Sequence, residues 1–169
     1  TMTRAMFATV IGRLAGIDES KYTGDVTDEN SLENRGGSAA SAGGSAFSDV
    51  PEGQWYSAYI RWASENDIVN GVGGGKFEPD TKITREQMAA MMYRYAKFAG
   101  VDLTSAAAVD TTAFNAFADR DSVSAYAKDA MIWATAKGII NGNGTGLAPK
   151  SDATRAQVAQ IIRNYEEKA

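Results

Sequence analysis

The sequence has 169 residues, 44% of them hydrophobic, a formal net charge of −4, and neither cysteine nor histidine. The acidic balance excludes a general electrostatic grip on nucleic acid, and no apolar run approaches the roughly 20 residues that span a bilayer, so membrane insertion is excluded too. The two missing residue types remove a disulfide framework, thiolate or imidazole metal sites and a histidine-based nucleophile, leaving catalysis only carboxylate, lysine or tyrosine chemistry.

The chain opens on Thr3-Arg4, with apolar residues following at Phe7, Val10, Ile11 and Leu14. Their three- and four-residue spacing predicts an amphipathic helix. Residues 18 to 46 form a long polar connection ending in a Gly/Ser/Ala run, a composition that predicts a flexible linker. Phe47-Ser48-Asp49 then leads to an aromatic, alanine-bearing helix from about Trp55 to Asn66, and Asn70-Gly71 marks a turn. A glycine-rich loop, Gly71-Val72-Gly73-Gly74-Gly75-Lys76, runs on to Pro79, and a further helix opens at Thr84-Arg85. Thr84 with Gln87 fits a capping box, in which the two side chains satisfy exposed amides.

After an alanine-rich connector at 101 to 116, the same order returns. Phe117-Ala118-Asp119 leads to a helix from about Tyr126 to Lys137, with Trp133 in the place of Trp62. Asn141-Gly142, a second glycine-rich loop and Pro149 follow, and the last helix opens at Thr154-Arg155, with Gln157 completing its box. Thr3 has Met6 at that offset instead.

Segment 47–100 therefore repeats as 117–169, and 1–17 is a third copy of the closing helix. Counted from each arginine, the same offsets hold Phe7, Met88 and Val158; Val10, Met91 and Ile161; Ile11, Met92 and Ile162; Leu14, Tyr95 and Tyr165. Three helices with one shared stripe can bury it against one another, which predicts a mainly α fold with a three-helix centre of approximate threefold symmetry. That register makes the methionines core residues, and helical spacing does the same for Trp62 and Trp133.

Taken together, Phe-x-Asp, the Trp-Ala helix, Asn-Gly with its glycine-rich loop and Pro, and the Thr-Arg helix resemble the S-layer-homology repeats of bacterial surface proteins. The family's Ile-Thr-Arg-Ala-Glu signature is matched by Ile83-Thr84-Arg85-Glu86-Gln87, Ala153-Thr154-Arg155-Ala156-Gln157 and Met2-Thr3-Arg4-Ala5-Met6. The resemblance divides the chain into a closing half-repeat at 1–17, a linker at 18–46, a full repeat at 47–100, a connector at 101–116 and a full repeat at 117–169. It implies a pseudo-threefold module with a central three-helix bundle, helix-loop-helix prongs and grooves between them. Those grooves hold a secondary cell-wall polysaccharide, often through a pyruvylated sugar, so the implied role is non-catalytic anchoring of an exported protein at the bacterial surface. The signature glutamate is replaced at all three sites and the first repeat lacks its opening half, which leaves room for completion by another chain or a further segment, as in a homo-oligomer.

Arg4, Arg85 and Arg155 each stand just after a helix N-cap, where the macrodipole mildly disfavours a cation. Two roles fit that recurrence: binding a ligand carboxylate in bidentate fashion, or pairing with a carboxylate or loop carbonyls of a neighbouring prong. Trp55, near a helix start, is a candidate for stacking on a sugar ring. Gly71, Gly73 and Gly142 either meet positive backbone torsions or let a ligand approach the main chain, and Lys76 adds charge to one groove or is simply solvated. The first glycine loop lacks the Lys-Ser/Thr pair of a phosphate loop. No EF-hand spacing and no singled-out carboxylate pair appears, so neither a metal, a cofactor nor a glycosidase centre is expected.

Overall fold

The computed structural model describes residues 1–23, 46–105 and 108–169. The chain is mainly helical. Six α-helices occur among these residues: α1 (Arg4–Leu14), α2 (Ser57–Glu65), α3 (Arg85–Phe98), α4 (Thr112–Asn115), α5 (Lys128–Ala136) and α6 (Arg155–Lys168). The only β pairings among the described residues are two isolated bridges, Gly73 with Lys76 and Thr84 with Asp152. Of the predicted linker, residues 24–45 lie outside the described residues, while Glu19–Tyr22 forms a single 3-10 turn.

Each closing helix starts where its threonine leaves the extended region. The Thr84 hydroxyl accepts from the Gln87 amide at 3.3 Å and the Gln87 side chain accepts from the Thr84 amide at 3.0 Å. Thr154 and Gln157 repeat the box at 3.2 and 2.9 Å. Thr3 makes half of it, accepting from Met6 N at 3.2 Å. The first helices of the two repeats begin two residues later than the spacing suggests, at Ser57 and Lys128. No side chain caps either helix. Ser57 Oγ instead accepts from Gln54 N and donates to Pro51 O, and a 3-10 turn at Ala125–Ala127 leads into α5.

The chain divides into two compact units, Thr3–Thr81 and Lys82–Ala169 with Thr1–Met2. In the first, α1 and the 3-10 turn both pack on α2. Phe7, Ile11, Ile60, Ile68 and Phe77 are fully buried there, each worth about 1.5 to 3 kcal/mol relative to exposure. Arg13 Nε donates to Tyr59 Oη at 3.3 Å, and that hydroxyl donates to Glu19, which ties the turn to the helix pair.

In the second unit, α3 and α4 pack on α5. Trp133 is buried at its centre, edge-on to Tyr93 at 5.6 Å and Tyr165 at 6.4 Å. Tyr95 of α3 meets Tyr165 of α6 at 5.6 Å, and Asn164 Nδ2 donates to Ile139 O at 3.1 Å, seating the end of α6. Three buried residues, each just before a capping threonine, close a ring of backbone hydrogen bonds: Met2 N to Ala153 O at 3.0 Å, Ala153 N to Ile83 O at 2.9 Å, and Ile83 N to Met2 O at 3.0 Å.

Each unit thus joins the closing helix of one repeat to the opening half of the next. Spatial units and sequence repeats are out of step by half a repeat.

Candidate functional site: the helix-to-loop sockets

Inside each unit, the loop between Asn-Gly and Pro is held from two sides. On one side stands the aspartate of Phe-x-Asp. Asp49 accepts from Phe77 N and Glu78 N, both at 2.8 Å; Asp119 accepts from Leu147 N at 2.9 Å and Ala148 N at 2.8 Å. Two amide donors hold an ionised carboxylate firmly. Burial alone would raise the Asp49 carboxyl, yet the Phe77 and Glu78 amides outweigh it and hold it below the usual range. For Asp119 the Leu147 amide leads, and the carboxyl is likewise lowered.

On the other side stands the signature arginine. Arg4 Nε donates to Phe77 O at 2.7 Å and its Nη2 to Asn70 O at 3.3 Å; Arg85 Nε donates to Leu147 O at 2.7 Å and its Nη2 to Asn141 O at 3.0 Å. Both arginines are buried, and Arg4 also lies over the Phe77 ring at 4.6 Å. Burial draws Arg85 below its ordinary pKa, with Asp119 opposing.

The same loops fill the helix N-termini. Arg4 N and Ala5 N donate to Thr81 O and Pro79 O, and Arg85 N and Glu86 N donate to Ser151 O and Pro149 O, at 2.9 to 3.0 Å. With the N-cap threonines taking the third amide, the first three donors of α1 and of α3 are satisfied. The free amides that the sequence suggested for an anion are therefore already occupied by loop carbonyls at these two helices. In α6, Arg155 is exposed, and neither Arg155 N nor Ala156 N has a hydrogen-bond partner among the described residues.

The other candidate residues are spread around the loops. Trp55 is 55% exposed, edge-on to Tyr56 at 5.1 Å, and its repeat counterpart Tyr126 is equally exposed. Lys76 is exposed at the tip of the first loop, and Gly73 beside it has φ +110°. Gly71 and Gly142 sit against the Phe-x-Asp phenylalanines: an added Cβ would lie 2.8 Å from Phe47 Cε1 and 2.5 Å from Phe117 Cε1. Contacts that short leave no room for a side chain, so these glycines carry loop packing. Trp62, Trp133, Met88, Met91 and Met92 are buried, as their spacing predicts.

Two features went unread in the sequence. Phe-x-Asp marks the repeat without showing what its aspartate holds; the shared distance of 28 residues from Asp49 to Phe77 and from Asp119 to Leu147 is the available signal. Glu86 stands where the other two closing helices have Ala5 and Ala156. It is buried and accepts from Ser124 N at 3.0 Å, Ser124 Oγ at 2.9 Å, Tyr126 Oη at 3.1 Å and Lys150 Nζ at 2.6 Å. Burial pushes its carboxyl up, but Lys150 and Ser124 together bring it below the usual range.

A helical repeat protein whose arginines and aspartates lock successive half-repeats together is thereby defined. The S-layer homology domain model matches residues 46–89 and 116–159, just over half of the chain, and the chain belongs to that family. It is 31% identical, over its whole length, to an amylopullulanase of Thermoanaerobacterium thermosulfurigenes, of which it spans 8%. It is 32% identical, again over its whole length, to the exoglucanase XynX of Acetivibrio thermocellus, of which it spans 13%. Over 74% of its length it is 28% identical to the S-layer protein sap of Bacillus anthracis, of which it spans 14%. S-layer homology domains thus occur in S-layer proteins and in large enzymes alike.

Proposed function

We propose that this chain is a non-catalytic cell-wall anchoring module that binds an anionic, pyruvylated secondary cell-wall polysaccharide and tethers an exported protein to the bacterial surface. The observation that carries the reading is what the relatives share. Proteins named as an amylopullulanase, an exoglucanase and an S-layer protein have this small segment in common, and a segment common to different activities supplies location rather than chemistry. Among the described residues no group of three or more carboxylates could hold a metal, and Asp49 and Asp119 are occupied with backbone amides.

Three prongs around a central bundle are part of this proposal. The closed hydrogen-bonded ring of Met2, Ile83 and Ala153 supports it, because equivalent residues of three repeats each donate to one neighbour and accept from the other. Within that arrangement Arg4 and Arg85 position the loops, while the ligand is met by exposed groups: Trp55, Lys76 and Arg155, with the main chain near Gly73 open to approach. Weak contacts at several grooves then add through avidity. Calorimetric titration with purified wall polysaccharide, native and with pyruvate removed, tests the reading: binding should require pyruvate and weaken in Trp55→Ala and Arg155→Ala. Sustained release of sugars from wall material would instead make the chain an enzyme.

A second reading draws on α6. The opening half of a repeat docks on α1 and on α3, whereas the equivalent face of α6 receives none among the described residues. In this reading another chain supplies the missing half and the module assembles as an oligomer. Mass that rises with concentration, and that Arg155→Glu returns to the monomer value, would favour it.

A further inference from the structure

The Glu86 carboxylate sits in a setting that has the form of a ligand site. Four donors converge on it: the Ser124 amide and hydroxyl, the Tyr126 hydroxyl and the Lys150 ammonium, with donor distances of 2.6 to 3.1 Å. The Lys150 Nζ also donates to Ser124 Oγ, so the donors form a linked set. The carboxylate end is enclosed, with 5% of the Glu86 side chain exposed, while the lysine is reached from solvent, with 56% of its side chain exposed. A helix-stabilising role does not require this arrangement, because the Glu86 amide is already satisfied by Pro149 O and the N-cap by Thr84 and Gln87.

The equivalent place in the first unit is built differently. Ala5 replaces Glu86, and its amide donates to Pro79 O just as Glu86 N donates to Pro149 O. The residue after that proline is Asp80 instead of Lys150, and Trp55 replaces Tyr126. Carboxylate and lysine are therefore present together or absent together: where the helix offers a carboxylate the loop offers a cation, and where the helix offers alanine the loop does not.

We propose that Lys150, Ser124 and Tyr126 form a carboxylate subsite that the chain fills with its own Glu86. Glu86 is then a specificity-determining residue that closes this groove to a carboxylate-bearing sugar. Extension to a pyruvylated sugar rests on the anchoring proposal; the subsite itself does not. One charge-assisted contact with lysine contributes on the order of tenfold in affinity.

The probe is sodium acetate, titrated into the intact protein at neutral pH and followed by NMR at the Ser124 amide and the Lys150 side chain, with equal sodium chloride as control. Glu86→Ala, which installs the residue found at Ala5 and Ala156, should give saturable acetate-specific shifts. Wild type should give none. Lys150→Ala added to Glu86→Ala should weaken the binding about tenfold. Glu86→Ser, with a similarly short side chain, provides a second opened site if the alanine variant folds poorly. Absence of saturable shifts in both folded variants, or equal binding by wild type, overturns the subsite. A parallel titration with pyruvylated polysaccharide should show Glu86→Ala binding more tightly than wild type; unchanged affinity overturns the specificity role. Acetate binding by Glu86→Ala beside a wild type that ignores the polysaccharide leaves the subsite standing and refutes the anchoring proposal.

Discussion

At the scale of single residues, three arginines with one sequence signature occupy two environments. Arg85 is buried with two loop carbonyls depending on it, whereas Arg155 is exposed. Replacing Arg85 with alanine leaves Leu147 O and Asn141 O without their donor, which should cost about 3 kcal/mol of stability. Arg155→Ala should stay within about 0.5 kcal/mol. Urea unfolding of both variants checks this, and equal losses would show that the two arginines do the same work. The aspartates behave as a pair. Folding holds the Asp49 and Asp119 carboxyls below their usual range, so the stabilisation they supply is complete above about pH 5 and is lost as pH falls through the lowered values. Urea midpoints measured from pH 7 to pH 3 should fall at the acid end, and Asp119→Asn should flatten that fall. The recurrence of these arginines was plain in the sequence, but their partners were not, because a carbonyl acceptor 62 residues away leaves no mark in residue identity.

Among the elements, the helix caps show how far local rules reach. The two capping boxes and the buried methionine stripe follow from spacing alone and stand in the structure as read. Thr84→Ala should cost about 1 kcal/mol, a loss that urea unfolding resolves. The starts of α2 and α5 were less legible, since no side chain caps them and the entering turn is set by Ser57 and by a 3-10 segment. What spacing could not give was the half-repeat offset. The eye divides a repeating sequence at its motifs, whereas the chain divides after Thr81, because Arg4 and the first amides of α1 reach forward to the loop of the following repeat. Gly142→Ala should disturb the second loop, the one held by Arg85, through Phe117, lowering the melting temperature, while Gly73 tests differently: its Cβ would meet nothing nearby, so only its positive φ resists substitution.

For the whole molecule, a chain built from sockets and plugs has a simple logic. A closing helix offers an arginine and open amides, and the following half-repeat brings the carbonyls that satisfy them. The anchoring proposal places the ligand on what this construction leaves exposed, including Trp55, Lys76 and Arg155, and gives Arg4 and Arg85 the task of positioning the loops. Glu86 follows the same logic, since its buried carboxylate accepts from Ser124, Tyr126 and Lys150, the set proposed above as a carboxylate subsite. Whether the module anchors to an anionic wall polymer is decided by calorimetric titration of the intact protein with purified pyruvylated wall polysaccharide and with the same polymer stripped of pyruvate. Saturable binding to the first and little to the second is expected; no binding to either by a folded protein, or equal binding to both, would refute anchoring through pyruvate.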